Sequence, residues 1–203
     1  MSAAAAELVL ASASAARAAL LEHAGITVAR VPAAIDESEI KRAFQAEGHG
    51  VDECAAALAE AKAMLVSRRR PGAMVIAADQ ILECGGVWFD KPPDRDHARA
   101  QLIALRGKRH VLATAACVVL NGSPLWNVVE RPALTMRPFG DGFLDWYLDR
   151  AGDDAVLGSV GAYQLEGLGA QLFARIEGDY FSILGLPLLP LLDFLRSRGV
   201  VPR

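Results

Sequence analysis

The sequence predicts an α/β protein built on a mixed sheet. Short apolar runs alternate with helical patterns through the first half of the chain. Two strong turn pairs, Gly85-Gly86 and Asn121-Gly122, each separate strand-like runs in the middle. The last third joins a Gly-rich apolar stretch to a helix opened by Pro187. With 203 residues, 53% of them hydrophobic, the chain is long enough for one sizeable core, and it shows no linker or internal repeat. A formal net charge of −3 argues against broad nucleic-acid binding, which needs a basic face. Three scattered cysteines, Cys54, Cys84 and Cys117, have no CxxC spacing, so a reducing cytoplasm fits better than a disulfide framework or a zinc site. The late apolar run Ile183 to Leu192 contains two prolines and is too short to span a bilayer, so no membrane segment is expected.

The opening residues are rich in Ala, Ser and Arg but lack a basic leader and carry Glu7, so they read as a first strand and helix. Leu8 to Ala11 is the strand, and it runs into Ser12-Ala13-Ser14-Ala15-Ala16-Arg17 before a helix carrying Leu20, Leu21 and Ala24. A strand, a hydroxyl-bearing loop and a helix N-terminus form an anion site, to which Arg17 would add a bidentate contact. Plain N-capping by Ser12 or Ser14 beside a solvated Arg17 fits the same residues. In Val31 to Phe44, Asp36 or Ser38 caps a helix and Glu37 complements its dipole, or one of these acids serves a cation. Val51 to Arg68 is the clearest helix, with Asp52 as its expected cap and the run Arg68 to Gly72 as its stop. Within it, Lys62 among alanines either snorkels to solvent or reaches inward to a phosphate; read alone, it favours solvent.

The stretch Val75 to Pro92 carries the strongest chemical signal. Asp79 and Gln80 interrupt a run so apolar that it reads as a strand buried on both faces. A buried carboxylate is costly unless it is paired or holds a metal. After the Gly85-Gly86 turn comes a short strand ending at Lys91-Pro92, and a carboxylate and a lysine at one end of a hairpin can hold a divalent cation and phosphate oxygens. Asp94 then caps a helix through Leu105. Lys108 and Arg109 form a basic loop, either phosphate-binding or solvated, before a strand from His110 to Leu120; His110 has no metal-ligand spacing and reads as structural. The chain returns as Leu125 to Arg137, and Gly140 to Ala151 is an amphipathic helix whose expected buried face is Phe143, Leu144, Trp146 and Tyr147. The glycines from Ser159 to Ala170 permit sharp turns or close approach to a ligand, a strand runs through Ile176, and a largely buried helix follows through Arg198.

Four motifs in order, LASASAAR (Leu10 to Arg17), IDES (Ile35 to Ser38), IAADQ…DKP (Ile76 to Pro92) and GAYQLEGLGA…GDYFSILGLPL (Gly161 to Leu188), resemble the Maf family of nucleoside triphosphate pyrophosphatases, once named as septum-formation proteins. Lys62 and the LRGKRH loop fall at the expected places between them. The resemblance spans nearly the whole chain as a single domain, residues 1–203, and implies an elongated two-lobed architecture with a central cleft, similar to inosine triphosphate pyrophosphatases. It implies cleavage of a nucleoside triphosphate between its α- and β-phosphates with Mg²⁺ or Mn²⁺, which would clear non-standard or modified nucleotides from the pool. By that match Asp79 is the catalytic acid, acting as proton acceptor for water or as metal ligand, Glu37 helps hold the cation, and Lys62 and Lys91 neutralise developing charge. Ser12, Ser14 and Arg17 bind the phosphates, and Gln80, Lys108 and Glu166 are further substrate contacts. Gln80 and Glu166-Gly167 look closer to the 7-methyl-GTP branch than to the dTTP/UTP branch, although Ala16 stands where the former has a tryptophan. Members are often homodimers. A non-catalytic nucleotide-binding regulator of cell division is the competing reading, and such a protein need not keep Glu37, Lys62, Asp79 and Lys91 together.

Overall fold

In the computed structural model the described residues are 7–202; the opening alanines fall outside them. Eight strands and eight α-helices alternate among those residues. Strands β1 (Leu8–Leu10), β2 (Ala29–Arg30), β3 (Met74–Cys84), β4 (Val87–Phe89), β5 (Arg109–Leu120), β6 (Ser123–Glu130), β7 (Ala133–Met136) and β8 (Phe173–Glu177) make one mixed sheet. Its order is β2-β1-β3-β5-β7-β8, with β4 pairing β3 and β6 pairing β5. The pairs β1–β2 and β1–β3 are parallel, and the hairpin partners are antiparallel. The two long strands, β3 and β5, are apolar almost throughout, as strands covered on both faces must be.

The chain divides into two compact units: residues 7–80, 114–130 and 185–202 form the first, and residues 81–113 and 131–184 the second. In the first unit, α1 (Ala15–His23), α2 (Glu37–Ala46), α3 (Val51–Arg69) and α8 (Leu188–Ser197) accompany the strands. The buried side of α3 is Val51, Cys54, Ala55, Leu58, Ala59, Lys62, Ala63 and Val66, a stripe at spacings of three and four, and Lys62 lies on it. Gly50, not Asp52, occupies the cap of α3. Glu53 reaches back to accept the Gly50 N–H at 2.9 Å, which leaves Asp52 inside the first turn. The β5–β6 hairpin turns at Asn121 and Gly122, both at positive φ, as the tight two-residue turn requires. Its tip is tied to the end of α3: Asn121 Oδ1 accepts from Gly72 N–H at 2.7 Å, and Gly122 N–H donates to Ser67 Oγ at 2.9 Å.

In the second unit, α4 (Arg95–Leu105), α5 (Asp141–Ala151), α6 (Asp153–Leu157) and α7 (Tyr180–Ile183) pack with the sheet around Leu82, Leu102, Leu112, Leu134, Leu144, Tyr147 and Leu172. Asp94 caps α4 by accepting from His97 N–H at 2.8 Å. The return stretch expected from Leu125 to Arg137 is two strands, because Pro132 has no N–H to offer the ladder. On α5 the buried residues are Leu144, Tyr147 and Leu148; Trp146, expected inside, is 38% exposed, one step off the stripe. His110 is buried, its Nε2 2.8 Å from Tyr163 Oη, and its Nδ1 has no hydrogen-bond partner. Burial and the Arg109 charge push its pKa down to about 4. All three cysteines are buried, and none is in a disulfide.

Candidate active site

The β1–α1 connection is built to present N–H groups. Ser14 is the N-cap of α1, its Oγ accepting the Arg17 N–H at 3.3 Å, while Ser12 Oγ accepts the Ser14 N–H at 3.2 Å. The loop is closed from behind by Arg30, which donates to the Ala13 carbonyl at 2.9 Å. Capping leaves room for an anion here, since the first-turn N–H groups of a helix have no acceptor of their own within it. Arg17 is fixed at two points: Nε donates to the Gly185 carbonyl at 2.7 Å, and Nη1 to Ser12 Oγ at 3.3 Å. Burial pulls its pKa down while the nearby charges of Asp79 and Glu37 push it up, and the net shift is downward from a value so high that the guanidinium stays charged.

At α2 the sequence left open which acid caps and which faces a ligand. Asp36 is the cap: its Oδ1 accepts from Glu39 N–H at 2.9 Å and from Ser38 Oγ at 3.0 Å, which occupies both residues. Glu37, the first helical residue, is left to turn to Lys62, whose Nζ lies 2.6 Å from its Oε1. Burial raises the Glu37 pKa, but the Lys62 hydrogen bond and charge, with Lys41 and Arg17, outweigh it and hold the carboxyl below its ordinary range.

Lys62 also ion-pairs with Asp79 Oδ1, so one ammonium bridges two carboxylates. Lys62 is 7% exposed and Asp79 4%. The snorkelling reading of Lys62 thus gives way to the inward one, because the surrounding alanines of α3 leave room for the stem to run along the buried stripe. The second Asp79 oxygen, Oδ2, is buried and has no hydrogen-bond partner. A buried carboxylate oxygen left bare costs on the order of 1–3 kcal/mol, more when charged, so its open valence is a functional signal. Next in the strand, Gln80 donates from Nε2 to Thr114 Oγ1 at 2.9 Å.

Ser12, Ser14, Arg17, Glu37, Lys62, Asp79 and Gln80 all lie in the first unit. Lys91, Lys108 and Glu166 belong to the second, where each is exposed: Lys91 follows β4, Lys108 precedes β5, and Glu166 lies in the Gly-rich stretch. Sequence reasoning missed Gly185 and Thr114, which hold Arg17 and Gln80. Gly185 stood in a quoted motif without an assigned partner, and Thr114 is the one polar residue in the apolar run from Val111 to Leu120.

Among the described residues no three or more His, Cys, Asp or Glu side chains gather into a cage for a metal ion. Two carboxylates with one open oxygen instead fit a hard cation of the Mg²⁺ type, which takes one or two carboxylates and completes its shell with water and phosphate oxygens. Glu37 and Asp79 are the donors that would hold it. An α/β protein that sets such an acid pair beside a helix N-terminus and a fixed arginine is equipped for cation-assisted chemistry on a phosphorylated ligand.

The chain belongs to the Maf family: the family's sequence profile, described as Maf-like protein, matches residues 7–198. It is 57% identical over 190 residues to a nucleoside triphosphate pyrophosphatase of Paramagnetospirillum magneticum, covering 94% of this chain and 97% of that protein. A protein of the same description from Granulibacter bethesdensis is 55% identical over 191 residues, covering 94% and 96%. A 7-methyl-GTP pyrophosphatase of Mesorhizobium japonicum is 48% identical over 195 residues, covering 96% and 98%. Maf-family nucleoside triphosphate pyrophosphatases are metal-dependent in general.

Proposed function

We propose that this chain hydrolyses nucleoside triphosphates to the monophosphate and pyrophosphate, with Asp79 at the centre of the reaction. The observation that carries the reading is Lys62, buried between Glu37 and Asp79 while Asp79 Oδ2 is left bare. Displacement at phosphorus asks mainly for positioning and charge stabilisation, and these side chains supply both. The α1 N-terminus, Ser12, Ser14 and Arg17 hold the phosphate chain, with Arg17 giving its remaining N–H groups to phosphate oxygens. Lys62 pairs with both acids and offsets the negative charge that develops on the phosphates. Asp79 orients the attacking water and accepts its proton at Oδ2. A divalent cation, Mg²⁺ or Mn²⁺, held by Glu37 and Asp79, supplies Lewis acidity and a more acidic water when bound. The parts that Lys91, Lys108 and Glu166 play rest on the motif match alone.

The substrate class we favour is a non-standard or modified nucleotide, closer to 7-methyl-GTP than to dTTP or UTP. Gln80 and Glu166-Gly167 support that branch, as does the relative from Mesorhizobium japonicum named for that substrate. Ala16 offers no aromatic platform for a cationic base, so discrimination falls to polar contacts such as the Gln80 amide. The whole chain acts as one domain, in a homodimer, in the cytoplasm; its three buried cysteines, none in a disulfide, suit a reducing compartment. Among the described residues no helix is long and apolar enough to cross a membrane.

The test is a panel of standard and modified nucleoside triphosphates with Mg²⁺ or Mn²⁺, followed by chromatography of the nucleotide and separate assays for pyrophosphate and orthophosphate. Monophosphate and pyrophosphate in equal amounts support the reading. Orthophosphate as the first product contradicts it, and no turnover of any nucleotide moves the non-catalytic regulator to the front.

A further inference from the structure

We infer that Gly185 is a positioning residue for Arg17, setting the direction in which the guanidinium meets the phosphate chain; the inference rests on the proposed phosphate role of Arg17. The two residues are 168 positions apart, and both lie in the first unit. The Gly185 carbonyl accepts the Arg17 Nε–H at 2.7 Å, and Gly185 sits at φ +99°, a conformation that L side chains rarely adopt. A Cβ added there would lie 3.2 Å from Nε, 3.4 Å from Nη2 and 3.7 Å from Cζ of Arg17. The missing side chain therefore does two things: it permits the backbone turn that aims the carbonyl, and it leaves the space into which the guanidinium is drawn. The next residues, Leu186, Pro187 and Leu188, are buried and anchor the carbonyl, so it cannot follow if Arg17 moves.

Of the five N–H groups on a guanidinium, one on Nε is committed to Gly185 and one on Nη1 to Ser12 Oγ. The other three, one on Nη1 and two on Nη2, belong to a planar fork held at two points. A free arginine would lose its rotamer freedom on binding the nucleotide, whereas this one has lost it beforehand. The consequence belongs to binding: Gly185 touches no reacting atom, so its substitution shifts KM more than kcat.

The experiment is a double-mutant cycle of Gly185→Ala and Arg17→Lys, with kcat and KM measured on whichever nucleotide turns over best and the melting temperature of each variant recorded. Lysine has no Nε–H fork to hold. With Arg17 intact, Gly185→Ala raises KM roughly three- to tenfold, the effect of unfixing one long side chain, while kcat falls less. In a chain that already carries Arg17→Lys the same change leaves KM within about twofold, although the lowering of melting temperature from the positive-φ strain is the same in both. An equal KM penalty in both backgrounds means a general structural role and overturns the inference. Arg17→Lys with unchanged KM refutes the phosphate role of Arg17, and the inference falls with it. If Gly185→Ala does not fold, the nucleotide-free wild-type protein still decides: the Arg17 Nε–H resonance, identified by its loss in Arg17→Lys, exchanges slowly with water if the contact is held. Exchange as fast as that of solvent-exposed arginines overturns the proposal.

Discussion

Replacing Lys62 with methionine keeps an unbranched apolar stem, one atom shorter, and removes the charge, which isolates what the bridging ammonium does. Asp79 is 4% exposed and loses its one hydrogen-bond partner, so its carboxylate is left buried and uncompensated. Removing one partner of a buried ion pair costs about 3–5 kcal/mol. The charge of Arg17 acts on the same carboxylate and places the expectation toward the lower end. Glu37, whose side chain is 44% exposed, adds little, because water takes over from the lysine. For a chain of this size each kcal/mol moves the melting temperature by about 2–4 °C, so Lys62→Met should melt roughly 6–20 °C below wild type. Adding Asp79→Asn removes the stranded charge, and the double variant should recover more than half of the loss while remaining inactive. The control is the half-exposed Arg70–Glu7 pair, where Arg70→Gln should cost no more than about 1 kcal/mol. Calorimetric melts of the four proteins at neutral pH decide. A Lys62→Met protein that melts within about 2 °C of wild type refutes the buried-bridge reasoning, and so does a double variant no more stable than the single one.

Three further outcomes concern the second unit. His110 has a folded-state pKa of about 4 against 6.5 unfolded, so below pH 6.5 the unfolded chain takes up a proton that the folded chain refuses. The associated stability is fully present above pH 6.5 and is lost as pH falls toward 4. That amounts to about 2 kcal/mol between pH 7 and pH 5, so the difference in urea-derived stability between those pH values should shrink by about that amount in His110→Gln. At Gly169 an added Cβ would lie 2.3 Å from the Gln164 carbonyl oxygen and 3.0 Å from its backbone N and C, so Gly169→Ala should cost about 2–4 kcal/mol in the same assay. Gly142, inside α5 with nothing within 4 Å of its would-be Cβ, should instead gain about 0.5–1 kcal/mol from alanine.

Much of the fold was legible because local patterns and tertiary structure agree. The helices over Val51 to Arg69 and Arg95 to Leu105 and the turns at Gly85-Gly86 and Asn121-Gly122 stand where periodicity and turn chemistry put them. The misreadings have local causes. Asp52 is a good capping residue, but the Glu53 carboxylate three positions beyond Gly50 reaches back better. Trp146 looks apolar enough to be inside, yet it stands one position before the Tyr147 and Leu148 part of the buried stripe. In the site, Asp79 announced itself as an acid in an apolar strand. Lys62 is marked by its place on the buried stripe of α3, 51-54-55-58-59-62-63-66, a sharper signal than the alanines around it. Contacts such as Arg17 with Gly185 and Gln80 with Thr114 join positions 168 and 34 residues apart, and no local pattern in one sequence encodes such pairings.

The central claim is that Asp79, held by Lys62, carries the chemistry, and Asp79→Asn tests it most directly. Asparagine keeps the shape but can neither accept the water proton nor lend a full charge to a cation. Single-turnover pyrophosphate release at saturating metal and nucleotide should fall by on the order of 10²–10⁴-fold, while nucleotide binding measured by calorimetry without turnover changes far less. An Asp79→Asn protein that releases pyrophosphate at the wild-type rate would contradict the account.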